Sequence, residues 1–229
     1  MQKISLALML MVFISCNSNP KKSPLISENN DSLANNNTGQ SPRHTGTLFT
    51  LNSFNKNDVP MKDIVKSEIV DGASWTDAEG EHMVILVQTA NKMINGKQNQ
   101  HINAYCYKKD SDAWKQTWQV QDRIEDCEVD ATCEFFPGSL TVTDKDKNDV
   151  GEVTFLYKLS CKGDVSPDDK KLIMYEGSQK YAIRGVAVIE LDGQRQGGDK
   201  KPDPSFTNGA KPLLDFANEQ WDKFGYTKY

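Results

Sequence analysis

Many short stretches of the chain alternate apolar and polar residues, which places every second side chain on the same face of a β-strand. These stretches are rich in β-branched and aromatic residues, and turn sequences such as Asn95-Gly96 and Asp192-Gly193 separate them. They cover residues 47–53, 64–70, 82–89, 102–108, 114–121, 139–143, 153–160, 171–175 and 181–191. The pattern predicts a mainly β domain of antiparallel strands, arranged as a sandwich or as a single curled sheet.

Three segments add detail to this domain. Residues 74–89 carry Trp75 before a turn and an apolar run after it, which predicts a hairpin whose second strand is central. After Pro212, apolar residues recur every three or four positions, which predicts one C-terminal amphipathic helix. Residues 194–204 are rich in Gly, Lys, Asp and Pro, and we expect them to form an exposed, mobile loop.

The first fifteen residues have the layout of a secretory signal peptide, with Lys3 before an apolar run over residues 4–14. This run is much shorter than the roughly 20 apolar residues of a membrane-spanning helix. Residues 13–16, Phe-Ile-Ser-Cys, resemble the lipobox of bacterial lipoproteins, although Phe13 stands where leucine is usual. The resemblance implies that Cys16 carries a lipid and anchors the protein to a membrane of the bacterial cell envelope, at the outer membrane or the periplasmic face.

Composition divides the rest of the chain into two parts. Residues 16–46 are rich in Asn, Ser, Pro and Lys and cannot bury enough apolar surface to offset their ordering entropy, so we expect a disordered tether. Residues 47–229 are long enough for a single domain with a hydrophobic core. The net charge is -5, and charges of both signs are interspersed without a basic stripe. Nucleic acid is therefore a poor candidate partner.

Four cysteines follow the predicted lipidation site, an even number in a chain expected to reach an oxidising compartment. Four cysteines allow three connectivities, which a sequence alone does not decide. We favour Cys127 with Cys161, because both stand where a loop meets a predicted strand, and Cys106 with Cys133 by elimination. A local bridge from Cys127 to Cys133 is the alternative. The sequence has no C-x-x-C pair or neighbouring histidine ligands, so a zinc site is a weaker interpretation.

One loop has the spacing of a cation site. Residues 144–152 read Asp-Lys-Asp-Lys-Asn-Asp-Val-Gly-Glu, with oxygen side chains at positions one, three, five and nine. Calcium takes six to eight oxygen ligands, and alternating acidic residues can point several of them inward. The segment resembles the calcium loop of FG-GAP (integrin-like) repeats, which implies ligands from Asp144, Asp146, Asn148 and Glu152 and from the Val150 carbonyl. A polar hairpin turn whose carboxylates face water is the alternative.

A wider resemblance covers about a third of the chain, from residue 118 to residue 185. Its motifs are Gln121-Asp122, Asp126-Cys127, Ser139-Leu140-Thr141-Val142-Thr143-Asp144, Asp164-Val165-Ser166-Pro167, Lys171-Leu172-Ile173-Met174-Tyr175-Glu176-Gly177 and Tyr181-Ala182-Ile183-Arg184-Gly185. They resemble a family of bacterial envelope proteins labelled surface polysaccharide biosynthesis protein. The resemblance implies a role at the cell surface, but it identifies no catalytic residue.

No pattern in the sequence identifies a catalytic mechanism. The three histidines fall in no metal-ligand spacing, and the chain lacks a nucleophile elbow, a P-loop and a dinucleotide fingerprint. Arg184 interrupts an apolar strand and could bind a carboxylate or an acidic sugar, although such an arginine often pairs with a nearby aspartate. Trp75, Trp114 and Trp118 could stack on sugar rings if they share an exposed face, although burial in the core is the commoner role.

These observations favour a lipid-anchored, non-catalytic envelope protein that binds surface glycan or an envelope protein, stiffened by disulfides and by calcium. The alternatives are an envelope enzyme acting on polysaccharide and an inhibitor or adhesin that presents a loop. A cluster of Arg184 with several acidic residues in one pocket would favour the enzyme. A projecting loop at residues 194–204 with no pocket behind it would favour the inhibitor or adhesin.

Overall fold

The structure, a computed structural model, describes residues 48–61, 64–65, 68–208 and 211–229. The predicted signal peptide at residues 1–15, the predicted lipidation at Cys16 and the predicted tether at residues 16–46 lie outside the described residues. The described part is mainly β, with antiparallel sheets and a helix near the C-terminus. The fold class predicted from the alternation is therefore confirmed.

Six antiparallel strands form the first sheet. They are β1 (Thr50–Asn52), β2 (Ile69–Asp77), β3 (Gly80–Gln88), β4 (Lys92–Ile94), β5 (Lys97–Asp110) and β6 (Ala113–Cys127). Their order is β1-β2-β3-β5-β6, and β4 pairs with the first residues of β5. Strands β2 and β3 pair across the tight turn before Gly80, which confirms the predicted hairpin, and β3 is central in the sheet.

The remaining elements form a second large sheet, a small third sheet and two helices. They are β7 (Asp130–Phe135), β8 (Thr141–Thr143), β9 (Glu152–Lys162), β10 (Asp169–Glu176), β11 (Gln179–Val186), β12 (Val188–Leu191), β13 (Gln194–Gly197), β14 (Lys200–Pro202), α1 (Ser205–Asn208), α2 (Lys211–Lys223) and β15 (Tyr226–Lys228). The second sheet has the order β14-β11-β10-β9-β7, with β8 also pairing with β9, and the third sheet has the order β13-β12-β15.

Several segments differ from the sequence prediction. The strand expected at residues 64–70 begins only at Ile69, and the short strands β4 and β15 were not expected. The stretch at residues 194–204, expected as a mobile loop, contains β13 and β14, which pair with β12 and β11. The lysines are tolerated because both strands are short and exposed. Gly197 is required, because a Cβ at this position would lie 2.1 Å from the carbonyl oxygen of Ala187. Strand β7 was not predicted, because residues 130–135 include two acidic residues and only a brief alternation.

The buried apolar residues form three clusters, one between the two large sheets and one on the outer face of each sheet. The main core lies between the sheets and includes Val84, Leu86 and Ile102 from the first and Phe155 and Ile173 from the second. The opposite face of the second sheet packs on α2, as the predicted helix requires. The outer face of the first sheet is covered by the chain segment that precedes β2. The described domain is therefore a sandwich with α2 and the short α1 on the outer face of its second sheet.

Three glutamine side chains close the free edge of β7. The backbone N–H groups of alternate β7 residues donate to side-chain oxygens from the first sheet: Ala131 to Gln98 (3.1 Å), Cys133 to Gln100 (2.8 Å) and Phe135 to Gln88 (3.1 Å). Gln100 is only 4% exposed. These side chains take the place of a neighbouring strand and connect the two sheets.

One of the two expected disulfides is present. Cys127 at the end of β6 is bonded to Cys161 on β9, so the favoured pairing is confirmed and the bridge joins the two sheets. The pairing of Cys106 with Cys133 is wrong, because both are buried free thiols. The thiol of Cys133 lies near the backbone of Ile102, and Cys106 is four residues further along β5, about 13 Å away at the usual rise of a strand. A disulfide requires a Cα separation of roughly 4.4 to 6.8 Å.

Candidate functional site

Carboxylates from one short loop and the strand that follows it meet at one end of the second sheet. Asp144, Asp146 and Glu152 each place a carboxylate oxygen within 4.8 Å of the others. Asn148 donates from its side-chain nitrogen to Asp146 at 3.2 Å and from its backbone nitrogen to Asp144 at 3.1 Å. The side-chain oxygen of Asn148 accepts from the backbone N–H of Val150 at 2.8 Å. The loop thus brings together the carboxylates of three of the five predicted ligands, Asp144, Asp146 and Glu152, and Asn148 is hydrogen-bonded to two of them.

The backbone of this acidic loop, residues 144–152, turns at two non-glycine residues. Lys147 has a φ of 62° and Asp149 a φ of 63°, both in the left-handed region that few residues other than Gly, Asn and Asp adopt easily. Gly151 has a different role, because a Cβ at this position would lie 2.6 Å from the indole nitrogen of Trp75. The loop therefore bends without glycine and uses Gly151 to pack closely on the first sheet.

Glu152 is a fully buried carboxylate at the end of this loop, with no exposed surface. Its oxygens accept from the backbone N–H of Lys145 at 2.9 and 3.0 Å and from the hydroxyl of Thr143 at 2.8 Å. Burial nevertheless raises the pKa of Glu152 to about 7. Glu176, directly opposite Glu152 on β10, also has a pKa raised by burial. A cation bound among these groups would offset several unfavourable negative charges.

Asp77 ties the acidic loop to the β2–β3 hairpin. One oxygen of its carboxylate accepts from the backbone N–H of Gly151 at 3.0 Å and from the indole N–H of Trp75 at 2.8 Å. Burial alone would raise the pKa of Asp77, but these hydrogen bonds outweigh it and lower the pKa below its usual value. The backbone N–H of Ala78 also donates to the carbonyl of Asp149 at 2.8 Å. These hydrogen bonds connect the loop directly to the hairpin.

A cavity of about 230 Å³ opens between the two sheets beside this hairpin. The acidic loop contributes Val150 and Gly151 to its wall, and the first sheet contributes Trp75 and Trp118. Ligand pockets usually have volumes of roughly 300 to 1,000 Å³. The cavity is therefore smaller than most ligand pockets, which limits it to one small chemical unit.

Aromatic rings form the walls of this cavity, and polar groups stand at its rim. Trp118, which is half-buried, stacks on Tyr175 with ring centroids 4.2 Å apart and an angle of 8° between the planes. Trp118 belongs to the first sheet and Tyr175 to the second, so the stack spans the opening between the sheets. At the rim, Lys108 lies 3.3 Å from Glu79, and Ser178 is exposed. Such a combination suits a ligand with one apolar face and several hydroxyls.

The titratable groups within the cavity do not form an activated nucleophile. His82 lies 3.1 Å from Asp77 and stacks on Trp75 with a centroid distance of 4.9 Å. Burial lowers the pKa of His82, although the charge of Asp77 opposes that shift. Burial also raises the pKa of the Cys106 thiol to about 12, so little reactive thiolate forms. Neither His82 nor Cys106 is therefore poised as a nucleophile at neutral pH.

The two weaker candidates for ligand binding, Trp75 and Arg184, lie apart. Trp75 lines the cavity, but only 2% of it is exposed. Arg184 on β11 does not line the cavity and forms an ion pair with Asp203. Trp114 packs on the outer face of the first sheet, so the three tryptophans considered from the sequence do not share one face. An enzyme pocket built around Arg184 and several carboxylates is not what the described residues form.

Sequence reasoning missed most of the cavity. The alternation shows which side chains share a face of one strand, but it does not show that Trp118 meets Tyr175 from another sheet. The β3–β5 register places His82 opposite Lys108, and the β5–β6 register places Cys106 opposite Trp118. The predicted strand at residues 114–121 was the one available signal, because it carries Trp114 and Trp118. Alternation alone places these two side chains on the same face, whereas a register shift between β5 and β6 puts them on opposite faces of the sheet.

Comparisons with other proteins give no family assignment: no protein-family model, no curated protein and no solved structure matches the chain significantly. Among the residues that the structure describes, no helix has the length and apolar character needed to cross a bilayer.

Proposed function

We propose that the protein is a non-catalytic module of the bacterial cell envelope that binds surface glycan at the cavity between its sheets. A lipid on Cys16 holds it to the membrane, and it takes part in the biosynthesis or organisation of surface polysaccharide. The observation that carries the proposal is the half-buried indole of Trp118, stacked on Tyr175 at the mouth of a polar-rimmed cavity.

The chemistry of the cavity supports a sugar more than a peptide or a nucleotide. One face of a sugar ring is apolar and packs on an aromatic ring, while its hydroxyls need both donors and acceptors. The part of the Trp118 ring that Tyr175 does not cover supplies the aromatic surface, and Lys108, Glu79 and Ser178 supply the polar groups. The small volume restricts recognition to one ring, so a longer glycan would extend outward along the protein surface.

Replacing Trp118 with leucine tests this proposal. We expect the Trp118→Leu variant to bind at least about tenfold more weakly, which corresponds to about 1.4 kcal/mol, because the ring that packs on the sugar is lost. The measurement is binding to an array of oligosaccharides built from the hexoses and aminohexoses of bacterial surface polysaccharides. Trp114→Leu is the matched control, since Trp114 lies on the same strand but outside the cavity, and it should bind as the wild type does. Equal binding by both variants would refute the proposal.

The acidic loop is the proposed calcium site of this module. Asp144, Asp146, Asn148 and Glu152 would supply side-chain oxygens and Val150 a backbone carbonyl, a set of hard oxygen ligands that suits calcium. The fit rests on three adjacent carboxylates and on the burial of Glu152. Calcium would offset these charges and fix the loop, and through the loop one wall of the cavity.

Calcium should stabilise the wild-type protein against heat. Extracellular calcium modules bind with Kd values of about 0.1 to 1 mM, so 10 mM calcium would add about 1.4 to 2.7 kcal/mol and raise Tm by about 5 °C. The measurement is thermal unfolding in 10 mM calcium chloride and in EDTA. The Asp146→Asn variant should lose the shift. The Asp149→Asn variant should keep it, because Asp149 is in the loop but is not a proposed ligand. An undiminished shift in Asp146→Asn would contradict the site.

A further inference from the structure

Four cations lie on one face of the second sheet, next to the mouth of the cavity. The strand register places Lys180 opposite Tyr175, Lys171 opposite Arg184, and Arg184 opposite Lys201. Residues paired in this way project from the same face of a sheet, and so do residues four apart on one strand. All four cations therefore share the face from which Tyr175 lines the cavity.

Only two of these cations have carboxylate partners among the described residues. Lys171 lies 2.5 Å from Asp122, and Arg184 is paired with Asp203. Lys180 and Lys201 are exposed, and within the described ranges no carboxylate lies within ion-pair distance of either. Lys171, Lys180, Arg184 and Lys201 thus form a cationic strip. It carries four positive charges against the two negative charges of Asp122 and Asp203, on a chain whose net charge is -5.

This strip begins at the aromatic wall of the cavity. The ammonium of Lys180 lies 5.8 Å from the ring centroid of Tyr175, the ring that stacks on Trp118. Arg184 is four residues further along β11, a distance of about 13 Å at the usual rise of a strand. A glycan with one ring in the cavity that extends along β11 would pass over these cations. Burial and the nearby charges of Arg184 and Lys171 lower the pKa of Lys180, although the charges of Asp203 and Asp122 oppose that shift.

We infer that the glycan bound here is anionic and that Lys180, Arg184 and Lys201 bind its carboxylate or phosphate groups. This inference rests on the proposed function, because it specifies the ligand of the same cavity. Arg184 can hold an anionic group with two parallel hydrogen bonds, while the lysines act as point charges. A neutral glycan would gain nothing from the strip, and an acidic one would otherwise be repelled by the net negative charge of the protein.

The test uses the same array, with each oligosaccharide printed in neutral, uronate and 6-phosphate forms. We expect the wild type to bind the uronate or phosphate forms at least tenfold more tightly than the neutral form at low salt. The charged form that binds more tightly, uronate or phosphate, identifies the anionic group that the protein recognises. The Lys180→Gln/Lys201→Gln variant should lose this preference and keep its affinity for the neutral form. The control is Lys211→Gln/Lys223→Gln, which removes two exposed lysines of α2 and equals the first variant in net charge.

The outcomes separate this inference from the proposed function. If the wild type binds sugars through Trp118 but does not prefer the charged forms, the inference fails and the proposed function stands. A preference that survives in Lys180→Gln/Lys201→Gln, or that is lost equally in the control, also overturns the inference. If no sugar binds, both fail. Thermal unfolding of each variant verifies that it is folded.

Discussion

Replacing Cys127 and Cys161 with alanine is expected to lower the free energy of unfolding by about 4 kcal/mol. The bridge closes a segment with a sequence separation of 34 residues, and the loss of chain entropy in the unfolded state scales with the length of that segment. It also joins the end of β6 to β9 and so connects the two sheets. The measurement is unfolding in guanidinium chloride under non-reducing conditions.

Reducing agent gives the matched control for this prediction. It should destabilise the wild type by a similar amount and leave the Cys127→Ala/Cys161→Ala variant unchanged. A Cys133→Ala variant should remain sensitive to reducing agent, because Cys133 is a buried free thiol. If reducing agent left the wild type at full stability, the bridge would have no stabilising role.

Replacing Lys170 with methionine should lower stability by about 3 kcal/mol. Lys170 is 2% exposed, and its ammonium donates to the carbonyls of Trp221 at 2.7 Å and Phe224 at 2.5 Å. These carbonyls end helix α2, where backbone oxygens lack partners within the helix. The ammonium also lies 4.2 Å from the centroid of the Trp221 ring. Methionine fills a similar volume but donates no hydrogen bond, so two carbonyls would be left unsatisfied.

Lys171→Met is the matched control for Lys170→Met. Lys171 is the next residue, points to the opposite face of the sheet and pairs with Asp122 at a partly exposed position. Its loss should cost less than about 1 kcal/mol. Urea unfolding of both variants makes the comparison, and equal losses would show that the contact with the end of the helix contributes little.

The stability difference between the wild type and Lys170→Met should also depend on pH. Burial lowers the pKa of Lys170 from 10.5 to about 8, so between these values the unfolded chain binds more protons than the folded chain. Stability then rises with pH across this window. We expect the advantage of the wild type to be larger at pH 10 than at pH 7, which unfolding curves at the two values measure.

The fold could be predicted from sequence to the extent that each element carries its own pattern. The β2–β3 hairpin has a strong turn and a β-branched run, and α2 has apolar residues at helical spacing, so both were predicted correctly. Strands β13 and β14 are short and polar, and β7 has only a brief alternation, so pairing with neighbours rather than local preference defines all three.

Of the candidate site, the acidic loop could be predicted from local sequence, whereas the cavity could not. The acidic loop is contiguous, so its spacing alone placed Asp144, Asp146 and Glu152 close together. The cavity is assembled from strands of two sheets, and no local pattern states that Trp118 will lie on Tyr175. The predicted pairing of Cys106 with Cys133 was wrong for a related reason. Choosing it by elimination takes no account of how far apart the two residues lie, and Cys133 lies beside Ile102, four residues from Cys106 along β5.

The glutamine side chains along β7 also bear on how the protein avoids self-association. A strand with a free row of backbone donors can recruit a strand from another copy and begin a fibril. Here Gln88, Gln98 and Gln100 occupy that row from within the same chain. An incoming strand would have to displace three intramolecular hydrogen bonds before making its own. The β7 edge is therefore protected against polymerisation even where many copies are crowded together.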